Sequence, residues 1–232
     1  MPAMHLRIRD LHKQFDGEKI IDGFSYSIDG DFFLTILGSS GCGKTTLLRI
    51  IGGILKPDSG TVELDSKRLG FVFQDDRLIP WLTAAQNISI VSPGCDPVEF
   101  LSFVGLKKHK SKYPSQLSGG MRRRVNIARA LAFNPDIILL DEPFSSLDVV
   151  IKDRLMEDIQ KIWMRRGISV IMVTHDPAEA ARLSTDIIII QDKLSKTDSI
   201  DLGSPEERTM DEIDRIARSL LSRMKESSSF VQ

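Results

Sequence analysis

The sequence is poor in everything that marks a secreted, membrane-spanning or nucleic-acid-coating chain. Of its 232 residues only two are cysteine, Cys42 and Cys95. That is too few for a disulfide framework and points to a reducing compartment. Basic and acidic side chains cancel, 31 against 32, so no excess of one sign argues for nucleic acid or an anionic membrane as partner. No run approaches the ~20 apolar residues that cross a bilayer. The opening Met1-Pro2-Ala3-Met4-His5-Leu6-Arg7 has no apolar stretch of the signal-peptide kind. Internal repeats and low-complexity tracts are missing too. The expectation is a soluble, cytoplasmic chain with one large domain, or a core carrying a modest inserted subdomain.

Against that background one stretch stands out: Gly38-Ser39-Ser40-Gly41-Cys42-Gly43-Lys44-Thr45-Thr46. It fits the phosphate-loop pattern G-x-x-x-x-G-K-[ST]. Phe32 to Leu37 reads as a short buried strand before it, and Leu47-Leu48-Arg49-Ile50-Ile51 opens a helix after it. A glycine-rich turn in that setting points several backbone N–H groups, and the positive end of a helix dipole, into one hollow suited to polyphosphate. Lys44 would reach the β- and γ-phosphates and the Thr45 hydroxyl would ligate Mg²⁺, while Cys42 reads as a small filler of the loop.

Residues 4–37 are β-rich, with His5 to Arg9, Ile20-Ile21 and Phe24 to Ile28 as strand segments. Pro57-Asp58-Ser59-Gly60 turns into a strand at Thr61 to Leu64, and Leu69 to Phe73 is another. From about 76 to 134 the pattern is helical, broken at Pro80, Pro93-Gly94 and Pro114. The apolar runs Ile137 to Leu140 and Ser169 to Val173 suit central parallel strands, and Ile187 to Ile190 adds a further strand. The tail from Pro205 to Lys225 has helical spacing at Met210, Ile213, Ile216, Ala217 and Leu220, with a frayed end at Ser227-Ser228-Ser229.

Two further constellations carry chemistry. Ile137 to Leu140 delivers Asp141 and Glu142 to a strand's C-terminal end, where ligands bind in open α/β sheets. Asp141 would serve the Mg²⁺ shell and Glu142 would polarise an attacking water. Leu117-Ser118-Gly119-Gly120-Met121 offers an N-cap serine and two glycines at the start of a helix, which reads either as a capped helix or as a second anion site. One ATP needs only one phosphate loop, so a second anion site suggests a nucleotide held by a different subunit.

With these residues in view, the chain resembles the nucleotide-binding subunit of an ATP-binding cassette (ABC) transporter over roughly residues 4–205. Six motifs occur in that family's order: the phosphate loop; a Q-loop glutamine at Gln74; the signature Leu117 to Met121; the Walker B acids Asp141 and Glu142; a D-loop Ser145-Ser146-Leu147-Asp148; and a switch histidine, His175. The resemblance implies an α/β fold: a P-loop NTPase core with a mostly parallel sheet, an N-terminal antiparallel β subdomain and an inserted α-helical subdomain. It sets the whole chain, 1–232, as one ABC ATPase domain, with core 1–75 and 135–205, helical subdomain 76–134 and a C-terminal helical tail 206–232.

By the same resemblance Phe15 stacks on adenine in place of the more usual tyrosine, and Gln74 touches Mg²⁺ or water. His175 contacts the γ-phosphate, and Asp148 belongs to the nucleotide-binding set. Ser118, Gly119 and Gly120 of a second copy complete each site, so two ATP molecules lie between two head-to-tail chains. The implied activity is ATP hydrolysis, with ATP and Mg²⁺ as cofactors. It would drive a small solute through a separate membrane permease from the inner face of the membrane, with an extracytoplasmic solute-binding protein in the full system and no nucleic acid. The wording Leu78-Ile79-Pro80-Trp81-Leu82-Thr83 looks like importer ATPases of the nitrate/sulfonate/taurine group, which includes thiamine-precursor systems. Trp81 is read either as packing within the helical subdomain or as part of a groove for a coupling helix. A soluble ABC-type ATPase is the alternative, though the long coiled-coil insertion of repair members is missing. Arg122-Arg123-Arg124 reads as helix-surface charge, where the family usually has glutamine in the middle position, and Lys107 to Lys112 as a solvated face.

Overall fold

The computed structural model describes residues 4–145, 147–192, 194 and 196–226. Ser146 of the D-loop and the Ser227 to Ser229 end lie outside them. Along the chain the elements are β1 (His5–Phe15), β2 (Glu18–Asp29), β3 (Phe33–Gly38), α1 (Lys44–Ile51), β4 (Ser59–Leu64) and β5 (Leu69–Val72). Then follow α2 (Ala84–Ser89), α3 (Pro97–Phe103), α4 (Gly119–Ala132), β6 (Ile137–Asp141), α5 (Val149–Arg166) and β7 (Ser169–Thr174). The chain continues with α6 (Pro177–Leu183), β8 (Asp186–Asp192), β9 (Lys196–Asp201) and α7 (Met210–Glu226). They form two compact units, one up to Ser66 and from Ser169 onward, the other Lys67–Ile168.

The first unit holds an antiparallel sheet in the order β2-β1-β4, as the alternating N-terminal segments predict. Its second set of strands runs β7-β3-β8-β9, with β3 parallel to both neighbours and β9 antiparallel at the edge. Every residue of β3 and of β7 is buried, which is why both read as unbroken apolar runs rather than alternations. Over β8 lies α7, whose Ile213, Ile216, Ala217 and Leu220 pack with Leu37, Ala180, Ala181, Ile187 and Ile189. Met210, counted with that apolar face by its spacing, is instead 68% exposed at the helix start.

The second unit pairs β5 with β6 in parallel and gathers α2, α3 and α4 around a core that includes Ile88, Leu101, Leu117, Val125 and Ala128. The helical pattern begins later than the expected residue 76. Its first helix, α2, starts at Ala84, because Pro80 bars a helix through 77–82 and Arg77 has φ 42°. Asn87, fully buried, holds the loop instead: it accepts from the Ile79 N–H at 2.8 Å and donates to the carbonyls of Ile79, Leu82 and Thr83. Trp81, at the loop's tip, is 75% exposed, so it is not a packing residue of this subdomain.

Candidate functional site

The phosphate loop runs from Gly38 at the end of β3 to Thr46 in the first turn of α1. Gly43 is the helix N-cap at φ 101°, a left-handed geometry, and a Cβ there would sit 2.8 Å from Ile20 Cγ2. Only glycine meets both demands at no cost. A Cβ on Gly38 would lie 2.8 Å from Cys42 Sγ. The cysteine is therefore the interior of the loop, as its small size suggests, and burial pushes its thiol pKa up against the opposing pull of Lys44. Lys44 is itself buried and donates from Nζ to the carbonyls of Gly38 at 2.9 Å and Ser39 at 2.6 Å. Its ammonium is thus held inside the curl of the loop. Ser39, Ser40 and Gly41 face solvent, and Thr45 and Thr46 are half-buried on the first turn of α1.

The same unit supplies Phe15 and His175. Phe15 ends β1 and is 45% exposed, and Lys13 Nζ stands 5.3 Å from the ring centroid. Lys13 is pinned by Asp58 Oδ1 at 2.6 Å. Leu37 of β3 pairs in parallel with Thr174 of β7, so His175 leaves its strand at the edge where the phosphate loop leaves β3. A local network fixes the histidine loop: Thr174 Oγ1 donates to the Glu179 carboxylate and accepts from the Asp176 N–H at 3.0 Å. Glu179 is buried, and sequence reasoning missed it because its partner is an ordinary strand threonine.

The second unit carries the remaining residues. Asp141 is the last residue of β6 and fully buried. Glu142 follows at φ 46°, a conformation that costs a non-glycine residue about 1–3 kcal/mol and collects at functional sites. Ser145 holds that turn, donating from Oγ to the Glu142 carbonyl at 2.9 Å. Val72 pairs in parallel with Leu140, so exposed Gln74 emerges at the strand edge that bears the two acids. Ser118 caps α4, accepting from the Met121 N–H at 3.3 Å, and Gly119 and Gly120 open the helix. A Cβ on Gly120 would come 2.9 Å from Leu147 Cδ2. Asp148 is the N-cap of α5, its carboxylate accepting from the Ile151 N–H at 3.0 Å.

Arg122-Arg123-Arg124 is not a solvent-facing cluster. Arg123 is 6% exposed and donates to the main-chain carbonyls of Phe73 and Gln74. Arg122 Nε pairs with Asp76 at 3.0 Å, and Arg124 Nη1 donates to the carbonyl of Val104 at the end of α3. The available signal was helical spacing: Arg123, Asn126, Ile127 and Ala130 form a buried stripe of α4. Thr45, Asp141 and Gln74 are hard oxygen donors, the kind that suits Mg²⁺.

A buried parallel strand ending in a phosphate loop on a helix, with Asp141 ending a second strand and Glu142 following it, is the arrangement of a P-loop nucleotide-binding protein. The family is then settled by comparison: residues 21–145 match the ABC transporter family, and the chain belongs to it. It is similar to an aliphatic sulfonates import ATP-binding protein of Agrobacterium fabrum, 42% identical over 80% of this chain and 76% of the relative. A nitrate import ATP-binding protein of Synechocystis is 38% identical over 82% of this chain and 79% of the relative. Among solved structures, a dimeric post-hydrolysis state of an ATP-binding cassette bound to ADP and Pi is 31% identical. It has a TM-score of 0.78, covering 86% of this chain and 99% of that one. The chain is an ABC-type ATPase, an ATP-binding subunit of a transporter. No helix among the described residues is long and apolar enough to cross a membrane.

Proposed function

We propose that this chain powers import of a small solute, as a pair of copies docked on the inner face of a membrane permease, with an extracytoplasmic protein delivering the cargo. The names of its relatives support import of a sulfonate- or nitrate-type solute. The single observation that carries hydrolysis is Glu142, held in a strained turn directly after buried Asp141. In this reading the loop 38–46 and Lys44 bind the phosphates, and Phe15 stacks on the base. Thr45, Asp141 and Gln74 hold Mg²⁺, which supplies charge neutralisation to the phosphates when bound. Glu142 takes the proton from the water that attacks the γ-phosphorus, the bond to the bridging oxygen breaks, and ADP departs with both electrons of that bond. His175 orients Glu142 and the water. Ser118, Gly119 and Gly120 come from the second copy, with Asp148 lining the same interface, so each site is completed by its partner.

Within that reading the chain is one ATPase domain of core 1–75 and 135–205, helical insert 76–134 and tail 206–232, and the 75–88 segment faces the permease. The test is Glu142→Gln. It should keep ATP binding, lose at least about a hundredfold in turnover, and elute as a dimer in ATP. Turnover close to wild type removes Glu142 from the role of base.

A further inference from the structure

Three arginines of α4 converge on one five-residue segment, Phe73 to Arg77. Arg122 pairs with the Asp76 carboxylate at 3.0 Å, and Arg129 Nη1 donates to the carbonyl of Arg77 at 2.9 Å. Arg123 is the centre of the group. Among the described residues of Lys67–Ile168 it is the one buried cation, and its two terminal nitrogens donate to the carbonyls of Phe73 and Gln74. Its Nε stands 3.9 Å from Asp76, so main-chain oxygens rather than a contacting carboxylate satisfy it. Removing a guanidinium from water is unfavourable unless such partners are fixed in place. A planar fork of donors also dictates the orientation of the two peptide groups it grips. The Phe73 carbonyl belongs to the peptide that precedes the Gln74 Cα and the Gln74 carbonyl to the peptide that follows it, so holding both sets the direction in which the Gln74 side chain leaves the chain. Burial lowers the Arg123 pKa, and Asp76, Asp141, Asp75 and Glu142 oppose that shift. The guanidinium therefore lies within the field of the acids at the ends of β5 and β6.

We propose that Arg123 is a positioning residue: through the carbonyls of Phe73 and Gln74 it fixes the presentation of Gln74 and ties that presentation to the helix that Ser118 caps. The inference rests on Gln74 acting at the metal or the water, as proposed above.

The test is a double-mutant cycle on the full chain, read as steady-state ATP hydrolysis. Arg123→Met should cut kcat by at least about tenfold while leaving KM for ATP within about twofold. Arg123→Lys, which can grip one carbonyl, should recover part of the loss. In a Gln74→Ala background the Arg123→Met change should cost less than about twofold more, because both remove the same contribution. An unchanged kcat for Arg123→Met, or losses that multiply in the double variant, overturns the proposal. If Gln74→Ala alone turns over like wild type, the reading of Gln74 fails and takes this inference with it, a pattern distinct from multiplying losses. Should Arg123→Met not fold, Arg123→Lys takes its place. Its expected loss of kcat must vanish in the Gln74→Ala background, and a loss that persists there overturns the proposal.

Discussion

At the scale of single residues, the phosphate loop could be read from the sequence because its demands are local. Gly43 must adopt a left-handed geometry and Gly38 must leave room for Cys42, so the constraint is written in adjacent letters. Helical spacing could have put Arg123 on the buried face of α4, but its acceptors could not be read, because they lie 49 and 50 residues away and a run of three arginines ordinarily faces water. Glu142 gave away its position but not its strained φ, which depends on the turn closed by Ser145. Cys42 supports a prediction at this scale. Its thiol pKa is raised by burial, so the reactive thiolate is scarcer at neutral pH than in free cysteine. In a Cys95→Ser background, alkylation of Cys42 should be slower than that of free cysteine at pH 7. Its rate should keep climbing at pH values where free cysteine has levelled off, and nucleotide should suppress it. Labelling by mass spectrometry across pH 6 to about pH 10 checks both, and a rate profile matching free cysteine contradicts the burial argument.

Among elements, the strands were legible and the loop before α2 was not. β3, β6 and β7 announce themselves as apolar runs because neighbours cover them on both sides. The 77–83 loop is set by the side chain of Asn87, four bonds from one buried amide, and no periodicity reports such a bond pattern. The β8–β9 pair contains an element-level conflict. Asp186 lies directly opposite Asp201 across the strands, and burial first, then Asp201, raises the Asp186 pKa. A carboxyl whose folded pKa is raised favours the folded state when protonated. The resulting penalty is absent below the unfolded pKa and sets in as pH rises through the folded one. Asp201→Asn should therefore stabilise the chain by about 0.5 kcal/mol at pH 7, with the gain fading toward pH 3. Urea unfolding at the two pH values measures it; an equal gain at both would rule out the carboxylate pair as its source.

At the scale of the whole molecule, fold class and family were within reach of the sequence because six motifs fall in one order. The cargo was not, since in the proposed assembly other polypeptides recognise it. If the site is shared by two copies, as proposed, activity becomes a property of concentration. Below the dimer dissociation constant, hydrolysis per chain should rise in proportion to chain concentration, whereas equilibrium binding of a fluorescent ATP analogue should not change. Hydrolysis per chain that is flat over a hundredfold dilution, or about that, would mean each chain works alone.

The exposure of Trp81 has an optical consequence. The chain has only two tryptophans, and one of them stands 75% in solvent on the loop that follows the Q-loop glutamine. With Trp163 replaced by phenylalanine, the remaining indole becomes a built-in lamp: red-emitting and open to acrylamide in the free chain, bluer and shielded if a permease covers the loop as proposed. Assembly with a permease could then be followed in real time without attaching a dye.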